Sequence, residues 1–522
     1  MSLAGPPAAG VYTRCTVAAI GSDAREKPSG DLRSLLSGVT QNVVGMVVAG
    51  VALFAVQILM TRTLGARGFG VVTVLTQAAF VVSFATRSGM DMAVLREVAV
   101  RLGEGRRDAV RALVTRSSWI AGAVSVAVAV LVTVFSGTVV RVFSLDAGPW
   151  AVPAAALSLP FLALTNVWLA ATRGLKIMRY TLYVFWVGQN VGWVVLTLIL
   201  WRFSTTATAS ILAYSLSWVG AAVVAAYFWH KECRSWRAGP LEQGWLDRLL
   251  RYAGPRAPAA LFAQLLFWTD LFVVTRYVSD AQVGVYSASL RAGQMVVLFL
   301  ASVNLMFAPY VADLFNRGRR AELDRLYKSL TRWVVAGTLP VCLVILIAPG
   351  AVLRLFGSSF PGGDVALLIL VGGQLVNVAT GSAGLVLIMV GRTGYDLAIY
   401  AGSIALDVAL TLWLGPRLGI EGAAIANAVT FTASNAARLA FVRHFVRIQP
   451  YDRDYLRVLP PAAAGAAVMV VAHLLVAGNF LIDLVVMGAA GGAVYVALYA
   501  LVGLSPSERA AARRFLRRLR VA

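Results

Sequence analysis

Apolar runs long enough to cross a bilayer recur along almost the whole chain, and they limit the fold more than any other feature. About 20 consecutive apolar residues span the ~30 Å hydrocarbon layer as a helix. Of the 522 residues, 59% are hydrophobic and only 13% are charged. The sequence predicts an all-α polytopic membrane protein with about fourteen spans, at residues 36–61, 70–92, 115–137, 150–172, 180–201, 208–230, 254–278, 283–312, 331–349, 362–390, 396–415, 419–443, 457–477 and 480–503.

The basic residues predict the orientation of these spans. The chain has 46 Lys and Arg and a formal net charge of +22. With both termini placed inside, 37 basic residues fall in cytosolic segments and 7 in outer loops, while Arg87 and Arg291 lie within spans. This bias predicts an N-in, C-in protein of the cytoplasmic (inner) membrane. The positive charge then faces anionic membrane lipid, so nucleic acid is not an expected partner.

Two stretches of the chain have related sequences, which indicates an internal duplication. Residues 61–71 (TRTLGARGFGV) and 275–285 (TRYVSDAQVGV) share Thr, Arg, Gly and Val at an offset of 214. The offset covers six predicted helices, and an even number of helices restores the same orientation. We therefore expect parallel repeats, with a cavity between two lobes. Further matches at an offset of 213 are Gly-Arg-Arg at 105–107 and 318–320, and Arg-x-Phe at 141–143 and 354–356.

The expected domain organisation follows from the spans and the repeat. The first 35 residues contain several charges and no long apolar run, so they do not resemble a signal peptide. Two C-terminal helices lie outside the repeat, and we expect them to pack on one lobe or to guide a lipid tail. The predicted segments are a disordered cytosolic leader (1–35), a six-helix lobe (36–230), a cytosolic linker (231–253), a second six-helix lobe (254–447), helices 13 and 14 (448–504) and a basic cytosolic tail (505–522).

Enzyme chemistry is not predicted. The three cysteines and three histidines show no metal-ligand spacing, and no P-loop or nucleophile motif is present, so we expect no metal and no cofactor. The predicted outer loops are short. They leave no room for the outer domain that a membrane-embedded glycan polymerase or glycosyltransferase needs.

Several short motifs resemble the polysaccharide (O-antigen, lipid-linked oligosaccharide) flippases of the multidrug/oligosaccharidyl-lipid/polysaccharide exporter superfamily. Residues 60–70 (MTRTLGARGFG) are similar to the family's junction between its first two helices, and 93–97 (AVLRE) to the end of its second helix. In the second half, 268–272 (WTDLF) places an acid where family members often have one, and 283–291 (VGVYSASLR) is similar to helix eight. The segment 87–91 (RSGMD) is more charged than the family pattern.

The resemblance implies a transporter that moves a polyprenyl-diphosphate-linked glycan to the outer leaflet by alternating access. Membrane lipids are expected partners, and a polysaccharide polymerase and glycosyltransferases are candidate partners. The sequence leaves the driving force open between an ion gradient, the membrane potential and product removal. Alternatives are a peptidoglycan lipid-precursor flippase, a multidrug/cation antiporter of the same fold, and a non-transporting scaffold of a polysaccharide synthesis complex.

Polar residues inside the predicted spans are the candidate functional residues. Arg291 and Arg87 are candidates for binding the diphosphate, since a guanidinium grips phosphate through paired donors. Each also has a structural alternative: Arg291 pairing with Asp270, and Arg87 pairing with Asp91. Asp270, Asp91 and Asp407 are candidates for ion coupling or charge pairing. Candidates for lining the lumen, with interhelical packing as the alternative, are Gln41, Asn42, Gln57, Gln264 and Asn304.

Overall fold

The computed structural model describes residues 28–504 except 238, 359, 361 and 477. The side chains of 28–49, 51–52, 255–256, 302, 305–306, 308–309 and 312 lie outside this description. Residues 1–27 of the predicted leader, the basic tail from 505 onward, and the side chains of Gln41 and Asn42 are therefore outside the described residues.

The N-terminal half is helical, with short breaks at glycines and polar turns. A π-helical segment, Leu182–Gly188, joins α7 to α8. The α-helices of this half are α1 Pro28–Thr86, α2 Met90–Gly103, α3 Arg107–Val134, α4 Ser136–Val142, α5 Ala151–Ala156, α6 Ser158–Gly174, α7 Arg179–Thr181, α8 Gln189–Trp201 and α9 Ala207–Glu232.

The C-terminal half is also helical, so the described chain contains no strand and the all-α fold is confirmed. Short 3₁₀ segments, Met295–Val297 and Arg453–Val458, and a π-helical segment, Tyr499–Gly503, flank some helices. The α-helices are α10 Trp245–Leu265, α11 Thr269–Val274, α12 Asp280–Gln294, α13 Leu298–Asn316, α14 Arg320–Ile347, α15 Pro349–Arg354, α16 Asp364–Ala379, α17 Ala383–Met389, α18 Thr393–Phe445, α19 Leu459–Leu475 and α20 Phe480–Leu498.

Ten helices of the described chain are long and apolar enough to cross a membrane, or eleven if the bent pair α16 and α17 is one span. The number is below fourteen partly because two helices each contain two predicted spans. α1 turns at Gly65 (φ 68°) and α18 turns at Gly419 (φ 58°), and a positive φ of this kind favours glycine. Each of the fourteen predicted segments coincides with helical structure, although their ends differ.

The helices pack into two groups with a connecting helix. In the first group, α6 packs on α3 and α9, and α9 also packs on α5 and α8. In the second group, α18 packs on α11, α16 and α17. α10 contacts α2 of the first group and α18 of the second. The hairpin α19–α20 packs on α14, which agrees with the packing alternative for the two final helices.

Equivalent positions of the two repeats meet each other. A Cβ on Gly70 would come within 2.8 Å of the backbone nitrogen of Gly284, its partner at the 214-residue offset, so only glycine fits this close approach. Two aromatic contacts between the halves are only approximately symmetric: Phe143 packs on Phe272 with ring centroids 5.6 Å apart, and Phe356, equivalent to Phe143, packs on Phe54 at 5.3 Å, four residues from the position equivalent to Phe272. Contacts between equivalent positions are expected beside a pseudo-twofold axis that relates parallel repeats.

The surface of the helical assembly carries many large apolar side chains. Trp119, Leu475 and Val485 are 76%, 78% and 68% exposed. Water would disfavour so many exposed apolar groups, whereas lipid accommodates them. The chain is therefore a multi-pass membrane protein.

Candidate functional site

A cavity of about 520 Å³ lies between the two groups of helices. Its walls combine aromatic rings with side-chain amides, and the charged residue among the described lining residues is Arg291. Aromatic residues that line it include Phe80, Phe84, Phe185, Trp186, Trp193, Tyr214, Trp218, Phe267 and Trp268, and the amides are Gln77, Gln189, Asn190, Gln264 and Gln294.

Arg291 projects from the last turn of α12. This helix begins with a capping box, in which the Ser279 side chain accepts from the Gln282 backbone and the Gln282 side chain accepts from the Ser279 backbone. The Arg291 guanidinium lies 4.6 Å from the centre of the Trp268 ring, and its Nε has no hydrogen-bond partner. An aromatic face steadies a cation without consuming its N–H donors. Because Arg291 lines the cavity, the terminal N–H groups of its guanidinium can reach a ligand there.

Arg291 does not pair with Asp270 in this structure. The Asp270 carboxylate instead accepts from the Tyr286 hydroxyl and, at 3.1 Å, from Asn427 Nδ2. Asp270 is fully buried, whereas Arg291 is half-buried and opens on the cavity. The two charges therefore belong to separate sites.

Arg87 is buried in the turn between α1 and α2, and the predicted local pair forms. Its Nη1 lies 3.3 Å from Asp91 Oδ2, and its Nε donates to the Ser83 carbonyl. The guanidinium also lies 3.8 Å from the ring centre of Phe84, which lines the cavity. Arg87 thus sits behind the cavity wall, while its Nη2 has no hydrogen-bond partner.

The five predicted lumen-lining amides have different positions. Gln264 lines the cavity. Gln57 is buried, and its Nε2 has no partner. Asn304 accepts a hydrogen bond from Ser382, so it links helices of the C-terminal half instead of lining this cavity. Gln41 and Asn42 lie outside the described side chains.

Sequence reasoning missed most of the cavity wall. Gln77, Gln189, Asn190 and Gln294 are amides within or beside apolar spans, which is the signal that could have identified them. The tryptophans gave no signal, because aromatic residues are common throughout a membrane protein.

A second polar cluster lies inside the C-terminal half. Asp407 on α18 is buried, and its neighbours are Asp270 and Thr430. Neither oxygen of the Asp407 carboxylate makes a hydrogen bond of ordinary geometry, and Asp270 Oδ1 also lacks one. Two adjacent carboxylates without a cationic partner are costly at membrane depth. A bound proton or small cation would relieve this cost.

The fold and the cavity define a two-lobed, multi-pass membrane protein of the transporter type. The model of the family described as "Polysaccharide biosynthesis protein" matches residues 35–315, which is more than half of the chain. The chain belongs to this family.

A curated relative supports the same grouping. The "Probable low-salt glycan biosynthesis flippase Agl15" of Haloferax volcanii is 21% identical over 202 residues. The aligned stretch covers 38% of this chain and 43% of that relative, so the chain matches less than half of the relative's length.

Two solved structures share the fold at low sequence identity. "Lipid II flippase MurJ, inward closed conformation" has a TM-score of 0.71 at 12% identity, covering 88% of this chain and 98% of that chain. An inward-facing transporter of the multidrug resistance MATE family has a TM-score of 0.62 at 13% identity, covering 76% of this chain and 98% of that chain. At these identities the likeness shows the fold alone.

Proposed function

We propose that the protein is a flippase that moves a polyprenyl-diphosphate-linked oligosaccharide across the cytoplasmic membrane for the assembly of cell-surface polysaccharide. Family membership supports a role in polysaccharide biosynthesis, and the flippase relative supports lipid-linked glycan as the cargo. The observation that carries the proposal is Arg291, a guanidinium that lines the cavity between the two lobes and whose Nε has no hydrogen-bond partner.

The cavity chemistry suits each part of such a cargo. A diphosphate is anionic, and paired guanidinium donors bind it strongly where water is scarce. Sugar rings present C–H faces to aromatic side chains and hydroxyls to amides. A pocket with aromatic walls and a few amides is therefore suited to bind sugars. Gln264 and Gln294 supply such amides in the same cavity as Arg291.

The charge of the cavity disfavours a cation as cargo. A multidrug/cation antiporter needs acidic groups facing its substrate, and the described residues that line this cavity include no carboxylate. A peptidoglycan lipid precursor shares the diphosphate and the polyprenyl chain. It remains the alternative cargo, which differs only in the headgroup beyond the diphosphate.

The position of the contacts between the lobes supports alternating access. Gly70 and Gly284 meet close to the loops that the topology places outside, and Arg62 Nε donates to the Leu355 carbonyl there at 3.3 Å. Trp186 and Gln264 line the cavity from the halves of their spans nearer the cytosol. This arrangement suits a state that is closed outside and accepts cargo from inside. Rocking of the lobes would then expose the cavity to the outer leaflet.

Asp270 and Asp407 are the proposed coupling site. Binding of a proton or a small cation would neutralise the carboxylate pair in one state of the lobe and favour that state. The site is separate from the cargo cavity, so coupling would act through the packing of α11, α12 and α18.

The proposed location is the cytoplasmic membrane with both termini inside, because the basic residues are concentrated in the segments assigned to the cytosol. Membrane lipids and a lipid-linked glycan are the proposed partners. Enzymes of polysaccharide synthesis, such as a polymerase and glycosyltransferases, are the proposed class of protein partner. No enzymatic activity is proposed for the chain.

The test is flipping of a fluorescent polyprenyl-diphosphate oligosaccharide in proteoliposomes. Wild-type protein is expected to transport it, and Arg291→Ala is expected to lose transport. Arg417→Ala is the matched control, because Arg417 is exposed and donates to the Trp413 carbonyl of its own helix. A folded wild-type protein that moves no polyprenyl-diphosphate glycan would refute the proposal, and transport of the peptidoglycan precursor alone would favour the alternative cargo.

A further inference from the structure

Polar side chains line the faces on which the two halves of α18 meet. Spacings of three, four and seven residues place each set on one side of its helix. We call this set the polar file. It consists of Asp396, Ser403, Asp407 and Thr411 before the turn at Gly419, and of Asn427, Thr430, Ser434 and Arg438 after it; all are buried.

Many polar atoms of the polar file have no hydrogen-bond partner in the described structure. Leaving one such atom unpaired in a buried site costs about 1–3 kcal/mol. Lipid offers no water to pair them, so a continuous line of them is unfavourable unless water or an ion enters it. The atoms without a hydrogen bond of ordinary geometry are both oxygens of Asp407, Thr411 Oγ1, Asn427 Oδ1, Thr430 Oγ1, Ser434 Oγ and Arg438 Nη2, and Thr430 is a neighbour of Asp407.

The polar file ends at a buried ion pair. Arg438 Nε lies 3.1 Å from Asp396 Oδ1, and the Arg438 guanidinium lies 4.6 Å from the ring centre of Tyr400. A Cβ on Gly384 would come within 3.1 Å of Arg438 Nε, so the arginine is also confined from α17. Asp396 lies near the start of α18 and Arg438 lies near its end. Because α18 turns back at Gly419, these two ends lie side by side, and the pair occupies that end of the polar file.

The length of the polar file matches the distance that an ion must travel. Asp396 and Asp407 are eleven residues apart, which corresponds to about 16 Å along a helix. This is roughly half of the ~30 Å hydrocarbon layer. The file therefore connects one membrane surface with the carboxylates at mid-depth.

The last two spans of the N-terminal lobe contain α8 and α9, which also bury polar residues, but none of these is charged. Several of them have partners: Gln189 Nε2 donates to Ser217 Oγ, and the Ser215 hydroxyl donates to the Ala154 carbonyl. The buried polar residues are Gln189, Asn190, Thr197, Ser210, Ser215 and Ser217. A file that contains buried carboxylates and an arginine is thus a property of the C-terminal lobe among the described residues.

We propose that the polar file is the access path by which a small cation or proton reaches Asp270 and Asp407, and that the Arg438–Asp396 pair closes it. The inference rests on the coupling role proposed above for the two carboxylates. In the predicted topology, the path opens to the cytosol. While the pair is formed, its charges neutralise each other and the guanidinium blocks the entrance.

Cysteine labelling tests the path without any cargo. Ser434→Cys is made after replacing Cys15, Cys233 and Cys342 with Ser, and a small cationic methanethiosulfonate is added to inside-out or right-side-out vesicles. We expect slow modification in inside-out vesicles, because the reagent can pass only while the Arg438–Asp396 pair is open. The control is Ser215→Cys on α9, a buried serine whose hydroxyl donates to the Ala154 carbonyl; it should not react.

The gate is tested by the double change Asp396→Asn/Arg438→Gln, which removes both charges and leaves neither unpaired. We expect it to speed modification of Ser434→Cys by about tenfold or more. If size-exclusion chromatography shows that Ser434→Cys is misfolded, Ser403→Cys on the facing half replaces it. In the double variant, labelling of Ser434→Cys that is no faster than labelling of Ser215→Cys, or that is faster from the outer side, would overturn the path. An unchanged rate in the double variant would overturn the gate. Labelling does not depend on glycan transport, so failure of the flippase proposal would be seen separately.

Discussion

On the cavity wall, α12 of the C-terminal lobe carries Arg291, and the position 214 residues earlier on α1 of the N-terminal lobe carries Gln77. In the same register, buried Asp270 corresponds to buried Val56. Among the described residues of the N-terminal lobe, the buried charges are Arg87 and Arg101, and each pairs with a carboxylate four positions away. The C-terminal lobe instead holds a pair of carboxylates with no cationic partner.

This difference indicates that the two repeats of a duplicated fold can have different roles, one structural and one in binding a ligand or ion. Local pairing satisfies the charges of the N-terminal lobe, so they contribute to structure at little cost. The unpaired charges of the C-terminal lobe cost free energy that only a ligand or ion can offset. We therefore expect mutations in the C-terminal lobe to change transport, and mutations of charges in the N-terminal lobe to change stability.

The largest expected effect comes from exchanging the two equivalent cavity residues. Arg291→Gln should reduce flipping by about 100-fold, because a desolvated charge-assisted contact is lost. Adding Gln77→Arg should restore part of the rate, since the pseudo-twofold axis places both positions on the same cavity. Flipping assays in proteoliposomes measure both variants. No recovery in the double variant would show that the lobes are not interchangeable at this position.

The next largest effect concerns the glycines that meet beside the axis. A Cβ at Gly284 would overlap the Ala66 carbonyl, so Gly284→Ala should separate the lobes at this contact and reduce the closed-outside population by about tenfold. Gly70→Ala should act in the same direction but less strongly. Distances between spin labels on the two lobes measure the change. Gly372→Ala, where a Cβ meets nothing within 4 Å, is the control and should leave the distances unchanged.

A smaller effect is expected at the coupling site. Asp407→Asn removes an unpaired buried charge, so it should raise the free energy of unfolding by about 1–2 kcal/mol. It should also reduce gradient-driven flipping by several-fold, while flipping without a gradient is retained. Thermal unfolding and flipping with and without an imposed ion gradient measure the two effects. A loss of stability would mean that Asp407 has a partner in the resting protein.

The smallest effect on transport is expected at the N-terminal charge pair. Asp91→Asn leaves the buried Arg87 guanidinium without its partner and should cost about 1–3 kcal/mol of stability. Flipping per folded molecule should change by less than about twofold. Thermal unfolding and flipping at matched amounts of folded protein test this. A large loss of flipping with normal stability would instead assign Arg87 and Asp91 to the path of the headgroup.

Much of the fold could be predicted from the sequence, because lipid allows few solutions. Apolar length predicted the helical segments, and the offset between residues 61–71 and 275–285 predicted lobes that contain equivalent positions, which Gly70 and Gly284 confirm by their contact. Gly65 was predicted to lie in a loop and Gly419 to begin the span 419–443, so neither turn inside a continuous helix was predicted. A helix that is hydrophobic all round has no clear polar face, so its end is poorly marked in the sequence.

The candidate site was only partly predictable. Arg291 and Gln264 were identified because polar groups are rare in apolar spans. The contacts between polar residues could not be predicted, since a contact such as that of Asn427 with Asp270 joins helices far apart in the chain and depends on helix rotation. For the same reason, sequence spacing could not decide whether Asp270 faces Arg291 or Asp407.

The ring of indoles in the cavity wall has an optical consequence. Four of the 13 tryptophans, Trp186, Trp193, Trp218 and Trp268, line the space around Arg291. Indole emission depends on the polarity of the surroundings, so entry of an unlabelled cargo should shift the intrinsic fluorescence of the protein. Cargo preference could then be ranked by titrating natural glycolipids directly. The part of the fluorescence change that is lost in the Trp268→Phe variant would come from Trp268, the ring that lies against the Arg291 guanidinium.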